Sequence, residues 1–293
     1  MMINRRQALA HLGALAALPA SAALTTPTIN VGTMVRWLTN LGPIDLQLYD
    51  TAAPLTVANF LGYVNSGAYM GSFFHRSVPG FIVQGGGFVW PAGAAGPKAM
   101  VKGATVANEF SATRSNLRGT IAMAKLGGDP NSATSEWFVN LANNAANLDG
   151  QNGGFTVFGR VTTSGMAVFD KIAALRIVNG GGVYSDLPVV NLTTNTIGID
   201  NVVRASAVTV LGHETDSDRI FNYLEGVYPQ YVPVAGQLAG TGLGYYYRFY
   251  PGTNSYVGTK DGNVHYLVPA ISPDVQPLGS MADWLGAAAA EGY

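Results

Sequence analysis

Cysteine is absent from all 293 residues of the chain. Disulfides, thiolate nucleophiles, cysteine metal sites and a lipidated amino-terminal cysteine are thereby excluded. Charge is scarce as well. Asp, Glu, Lys and Arg make up 11%, against about 25% in an ordinary globular chain. The formal net charge is -1, so no basic field exists to gather nucleic acid and no acidic run forms a tail. The four histidines, His11, His75, His213 and His265, lie far apart. Neither a metal site nor a cofactor is expected from them. The serines have no histidine at an identifiable spacing, which leaves a hydrolase without support. Gly85-Gly86-Gly87 and Gly240-Thr241-Gly242-Leu243-Gly244 lack the strand–glycine–lysine–helix context of a phosphate loop and read as turns.

What is present suits a folded, two-part protein. Hydrophobic residues reach 48%, enough for a sizeable core. Residues 1–22 read as an export signal rather than a fold element. Arg5-Arg6 supplies a twin-arginine n-region, residues 8–18 an apolar stretch too short to span a bilayer, and Ala20-Ser21-Ala22 a cleavage site. The expectation is a periplasmic or secreted bacterial protein, by a twin-arginine or an ordinary secretory route. No later apolar run is long enough for a membrane helix.

Strands are predicted over 34–38 and 44–49, with Ile44, Leu46 and Leu48 facing one way and Asp45 and Gln47 the other. Ala53-Pro54 opens a helix whose apolar stripe is Leu55, Ala58, Phe60, Leu61 and Val64, and Gly67 stops it. Residues 90–100 read as a loop. Further strands are expected at 119–124, 136–140, 155–161 and 202–211, with a second helix over 166–175. Many short strands with two helices point to a mainly β domain, a closed barrel capped by helices. Its bounds are 29–211. A polar linker, 212–217, leads to a small α+β module over 218–293, with a helix near Ile220, a Tyr245-Tyr246-Tyr247 strand as core and face of a small sheet, an Asp261-Gly262 hairpin and a closing helix.

One stretch organises the first part. Arg76 sits among Phe73, Phe74 and His75, and after Pro79-Gly80 an apolar Phe81-Ile82-Val83 run ends on the amide of Gln84. This reads as two short strands with a cation and an amide set into an apolar surface. A guanidinium keeps its proton, so Arg76 is a donor and never a base. His75, its neighbour on a strand, should point the other way, as a core histidine.

Tyr69, Ser72, Phe74-His75-Arg76, Val78, Phe81-Ile82, Gln84 and Gly86 resemble, in order and spacing, the signature of cyclophilins, the peptidyl-prolyl isomerases. Ser77 departs from it, where an aliphatic residue or Asn is usual. The resemblance spans about residues 33–211 and implies an eight-stranded barrel. It implies that Arg76 is the catalytic donor, that Phe81, Ile82, Phe138 and Leu148 line a proline pocket, and that Gln84 bonds Arg76 or the peptide. It further implies that Ala124 binds peptide through its backbone. Ile82 replaces a common Met, and Phe155 stands where His or Tyr is usual. Glu136 stands where Gln is usual and is expected to pair with Arg76. Asn147 stands where some members carry a Trp that aids cyclosporin binding, so weak binding of that drug is expected. The partners implied are proline-containing unfolded or extended polypeptides. The alternative is a proline-peptide-binding or chaperone-like module with vestigial activity, and a cell-envelope partner is entertained for the carboxy-terminal module.

Overall fold

The computed structural model describes residues 32–232 and 239–293. The predicted export signal lies outside the described residues. The chain divides into two compact units, one spanning Val31–Leu211 and the other containing Gly212–Tyr293.

In the first unit, β1 (Met34–Thr39) and β2 (Gly42–Leu48) form a hairpin in which Arg36 stands opposite Asp45. The expected alternation in β2 has no solvent side: Asp45 and Gln47 are as buried as Ile44 and Leu46. Each polar side chain instead has a partner. Arg36 Nε and Nη2 donate to the two Asp45 oxygens at 2.7 Å each, and Arg160 Nε donates to Gln47 Oε1 at 2.7 Å. Buried charge survives only when paired in this way.

Helix α1 (Pro54–Asn65) follows. Its buried stripe is Val57, Phe60 and Val64, while Leu55 and Ala58, expected inward, face solvent. Glu109 accepts from the Leu55 and Thr56 amides, satisfying the free N–H groups of the first turn. The next strands are β3 (Arg76–Val78), β4 (Ile82–Gly85), β5 (Phe88–Val89) and β6 (Lys98–Ala99), the last pairing with β5 inside the predicted loop 90–100. Then come β7 (Thr120–Met123), β8 (Trp137–Asn140), the helical turn α2 (Ala145–Leu148), β9 (Val157–Val161) and helix α3 (Thr163–Ala173). A short hairpin, β10 (Arg176–Val178) with β11 (Leu187–Val189), precedes β12 (Ala205–Leu211). Neither α2 nor this hairpin has a periodic signal in the sequence.

Eight strands make one curled sheet in the order β12-β1-β2-β9-β7-β8-β4-β3. Its two edges approach each other through an isolated Phe73–Arg204 bridge rather than a continuous ladder. Inside lies an aromatic core: the Trp37 ring centroid is 5.4 Å from Phe60 and 5.2 Å from Trp137. Aromatic pairs of this kind add to plain area burial.

In the second unit, helix α4 (Asp216–Val227) is capped by Thr215, whose hydroxyl accepts from the Asp218 amide. Asp216 and Ser217, expected in the linker, already belong to this helix. A meander follows: β13 (Ala239–Gly242), β14 (Tyr245–Tyr250), β15 (Ser255–Lys260), β16 (Asn263–Leu267) and β17 (Gln276–Ser280), then helix α5 (Met281–Glu291). Gly240-Thr241-Gly242, read as a turn, lies in β13, and only Leu243-Gly244 turns the chain. Arg248 ties α4 to the sheet, donating to Glu225 at 2.8 Å and Asp218 at 3.1 Å. Its guanidinium also lies 4.9 Å from the Phe221 ring centroid. Tyr246 donates to Asp218, whereas Tyr245 and Tyr247 pack against His265 and Tyr256. The tyrosine run thus divides between the two faces of the sheet.

Candidate active site

The site grows out of the turn between β3 and β4. Gly80 takes φ +76, a conformation that side-chain-bearing residues rarely adopt, and the Phe81 amide closes the turn on Val78 O at 2.9 Å. The register then sets Arg76 opposite Gln84, Gln84 opposite Phe138, and Phe138 opposite Ala122. Because side chains alternate along a strand, Val83, Val139 and Ile121 enter the main core. Ile82, Phe138 and Ala122 emerge on the other face. There they form a second cluster with Leu148 and Val157, bordered by Tyr49, Phe81, Ala124 and Phe155.

The four residues expected to line the pocket, Phe81, Ile82, Phe138 and Leu148, therefore meet, together with Ala124 and Phe155. The Phe155 ring lies edge-on to Phe138 at 5.7 Å. Its backbone is held from both sides, by a Phe155 N–H bond to Leu148 O at 3.1 Å and by Asn116 Nδ2 donating to Phe155 O at 3.1 Å. Lys125 Nζ stands 4.9 Å from the Phe155 ring centroid and donates to the carbonyls of Asn152 and Gly154. Burial of this ammonium lowers its pKa, against the pull of Asp129. A chain of buried amides, Asn116, Asn140 and Asn144, braces the far side, with Asn144 Nδ2 donating to Phe81 O at 2.8 Å.

The polar residues are arranged differently from expectation. Glu136 does not pair with Arg76. It accepts from Gln84 Nε2 at 2.9 Å and from Lys102 Nζ at 3.4 Å. Gly87 leaves room for this placement, since a Cβ there would come within 2.8 Å of the Glu136 carboxyl carbon. Arg76 donates from Nε to Asp186 at 3.3 Å. Asp186 sits 110 residues away in sequence, beside a hairpin that no pattern announces, and so escapes a reading of the sequence. His75 is buried, 3% exposed, as expected of a core histidine. Burial lowers its pKa to about 4, opposed by Glu136 and helped by Arg76. It is a neutral ring at pH 7 rather than an acid. The Ala124 amide is occupied by Glu136 O at 3.0 Å. Among the described residues no group of His, Asp and Glu could hold a metal ion, and no helix is long and apolar enough to cross a membrane.

Residues 34–194 match the family model for cyclophilin type peptidyl-prolyl cis-trans isomerases. The chain belongs to this family. A peptidyl-prolyl cis-trans isomerase of Acinetobacter baylyi is 44% identical over 142 residues, 48% of this chain and 72% of that one. Peptidyl-prolyl cis-trans isomerase A of Dickeya dadantii is 44% identical over 171 residues, 58% of this chain and 83% of that one. A crystal structure of a Cryptosporidium parvum cyclophilin aligns with 62% of this chain and 98% of its own, at 21% identity and a TM-score of 0.47. The chain is a cyclophilin-type isomerase, mainly β, built on a curled eight-stranded sheet, and its substrates are proline-containing polypeptides.

Proposed function

We propose that the isomerase works by donation from Arg76 to the prolyl nitrogen, with the proline ring held over Phe81, Ile82, Phe138, Leu148 and Phe155. The amide barrier of about 18–20 kcal/mol comes from resonance between nitrogen and carbonyl. Rotation returns the lone pair to nitrogen, and a fixed donor there stabilises the twisted state while an apolar wall holds the ring. The chemistry needs no proton removal, nucleophile or metal. The observation that supports this reading is the register row from Arg76 through Gln84 and Phe138 to Ala122, the last two of which belong to the second apolar cluster. The Ala124 carbonyl and Gln84 Oε1 offer acceptors to the peptide backbone on either side.

A protease-coupled isomerisation assay on a Xaa-Pro peptide tests it. Arg76→Ala should lower kcat/KM by about a hundredfold or more, the loss typical of removing a transition-state donor. Arg76→Lys should fail as well, because an ammonium lacks the planar fork. Full activity in either variant would remove Arg76 from the mechanism. A wild type that binds proline peptides without accelerating rotation would instead favour the peptide-binding alternative.

The leader supports action in protein folding outside the cytoplasm. Cell fractionation of the wild type beside an Arg5→Lys, Arg6→Lys variant separates twin-arginine export, which the variant should block, from the ordinary secretory route. We read the approach of the sheet edges at Phe73 and Arg204 as closure of a barrel, and residues 218–293, after the linker 212–217, as a separate module available to a cell-envelope partner.

A further inference from the structure

We infer that Asp186 is the positioning residue for Arg76, a role that rests on the donor reading of Arg76 above. Arg76 occupies a three-residue strand at the sheet edge, and an arginine side chain left alone there samples many rotamers. Asp186 removes that freedom. Its Oδ2 accepts from Arg76 Nε at 3.3 Å and from the Ser185 hydroxyl at 3.2 Å. Among the described residues Arg76 has no other hydrogen-bond acceptor, so both Nη groups remain for a substrate. A carboxylate on Nε sets the plane of the guanidinium, and the plane decides where those two donors point.

The carboxylate is itself held in place. The Ser77 amide donates to Asp186 O at 2.8 Å, which ties the residue's main chain to the strand that carries Arg76. On either side, Tyr184 and Leu187 are anchored in the apolar cluster around Phe73 and Trp90. The Tyr184 ring lies 5.0 Å from Phe88 and 6.0 Å from Phe73. The next two residues, Leu187 and Pro188, pair with Val178 and Ile177. Asp186 thus projects from a clamped segment.

Stability alone does not account for the pair. The Arg76 and Asp186 side chains are 36% and 40% exposed, and ion pairs of that exposure contribute little to folding. Orientation of the donor is the remaining consequence.

The test uses the full chain with Asp186→Ala, Asp186→Asn, Asp186→Glu and the Arg76→Ala double variant. Asp186→Ala should lower kcat/KM by about fivefold, the scale of a partly exposed ion pair. Peptide affinity from NMR titration should stay unchanged, since the pocket is untouched. Asp186→Asn should retain part of the rate through its neutral acceptor, and Asp186→Glu should restore part of it. In the Arg76→Ala background, removing Asp186 should have no further effect, which a merely structural role would not produce. Wild-type rate in Asp186→Ala beside an inactive Arg76→Ala overturns this proposal alone, as does an equal loss from Asp186→Ala in both backgrounds. Full activity in Arg76→Ala overturns it together with the donor reading.

Discussion

Gln84 gives its amide N–H to the Glu136 carboxylate at 2.9 Å, and a carboxylate can only accept. The amide is therefore fixed with its nitrogen on Glu136 and Oε1 directed away from that carboxylate. A glutamine at 136 would accept or donate equally well and would leave Gln84 free to rotate.

Glu136→Gln is expected to lower kcat/KM by about threefold, the worth of one charge-assisted bond relative to a neutral one. Glu136→Leu should cost more, because Gln84 and Lys102 then lose their shared acceptor. Isomerisation kinetics on one peptide series decide it, and a faster Glu136→Gln enzyme would show that the carboxylate restrains the site instead.

His75 links stability to pH. Its folded pKa, lowered to about 4 by burial, lies below the unfolded value of about 6.5. The unfolded chain therefore binds a proton first as pH falls. Stability is whole above pH 6.5 and is lost on descent toward pH 4, by about 3 kcal/mol. Urea unfolding at several pH values should show that slope, and His75→Gln should flatten it. An unchanged slope would assign the acid sensitivity to other groups.

The Arg36–Asp45 pair has both side chains 1% exposed. Removing one partner, as in Asp45→Leu, should destabilise the first unit by about 3–5 kcal/mol, since the other charge stays buried. Arg36→Met with Asp45→Leu should recover most of that loss. Denaturant midpoints for the single and double variants check the point, and additive losses would refute it.

Asn147 is exposed beside the buried Leu148. Cyclosporin should bind weakly, and Asn147→Trp should tighten it by about tenfold by adding an aromatic surface at the rim. Tight inhibition of the wild type would contradict this.

Much of this protein was legible in the linear order of residues. Period-2 patterns located most of the large strands, the Pro79-Gly80 turn set Arg76 opposite Gln84, and the pocket aromatics stood in a recognisable order. These features are local, governed by backbone sterics and side-chain alternation. The partners of the charged groups were not legible. Glu136 was expected on Arg76 and is found on Gln84, while Asp186 lies 110 residues from the arginine it holds. Asp45 and Gln47 alternate with the apolar side chains of β2 as expected, yet both are buried, held by Arg36 and Arg160. A sequence determines which side chains share a strand face. Which distant carboxylate reaches a given cation depends on sheet curvature and on an unpatterned hairpin, and only the folded chain decides these.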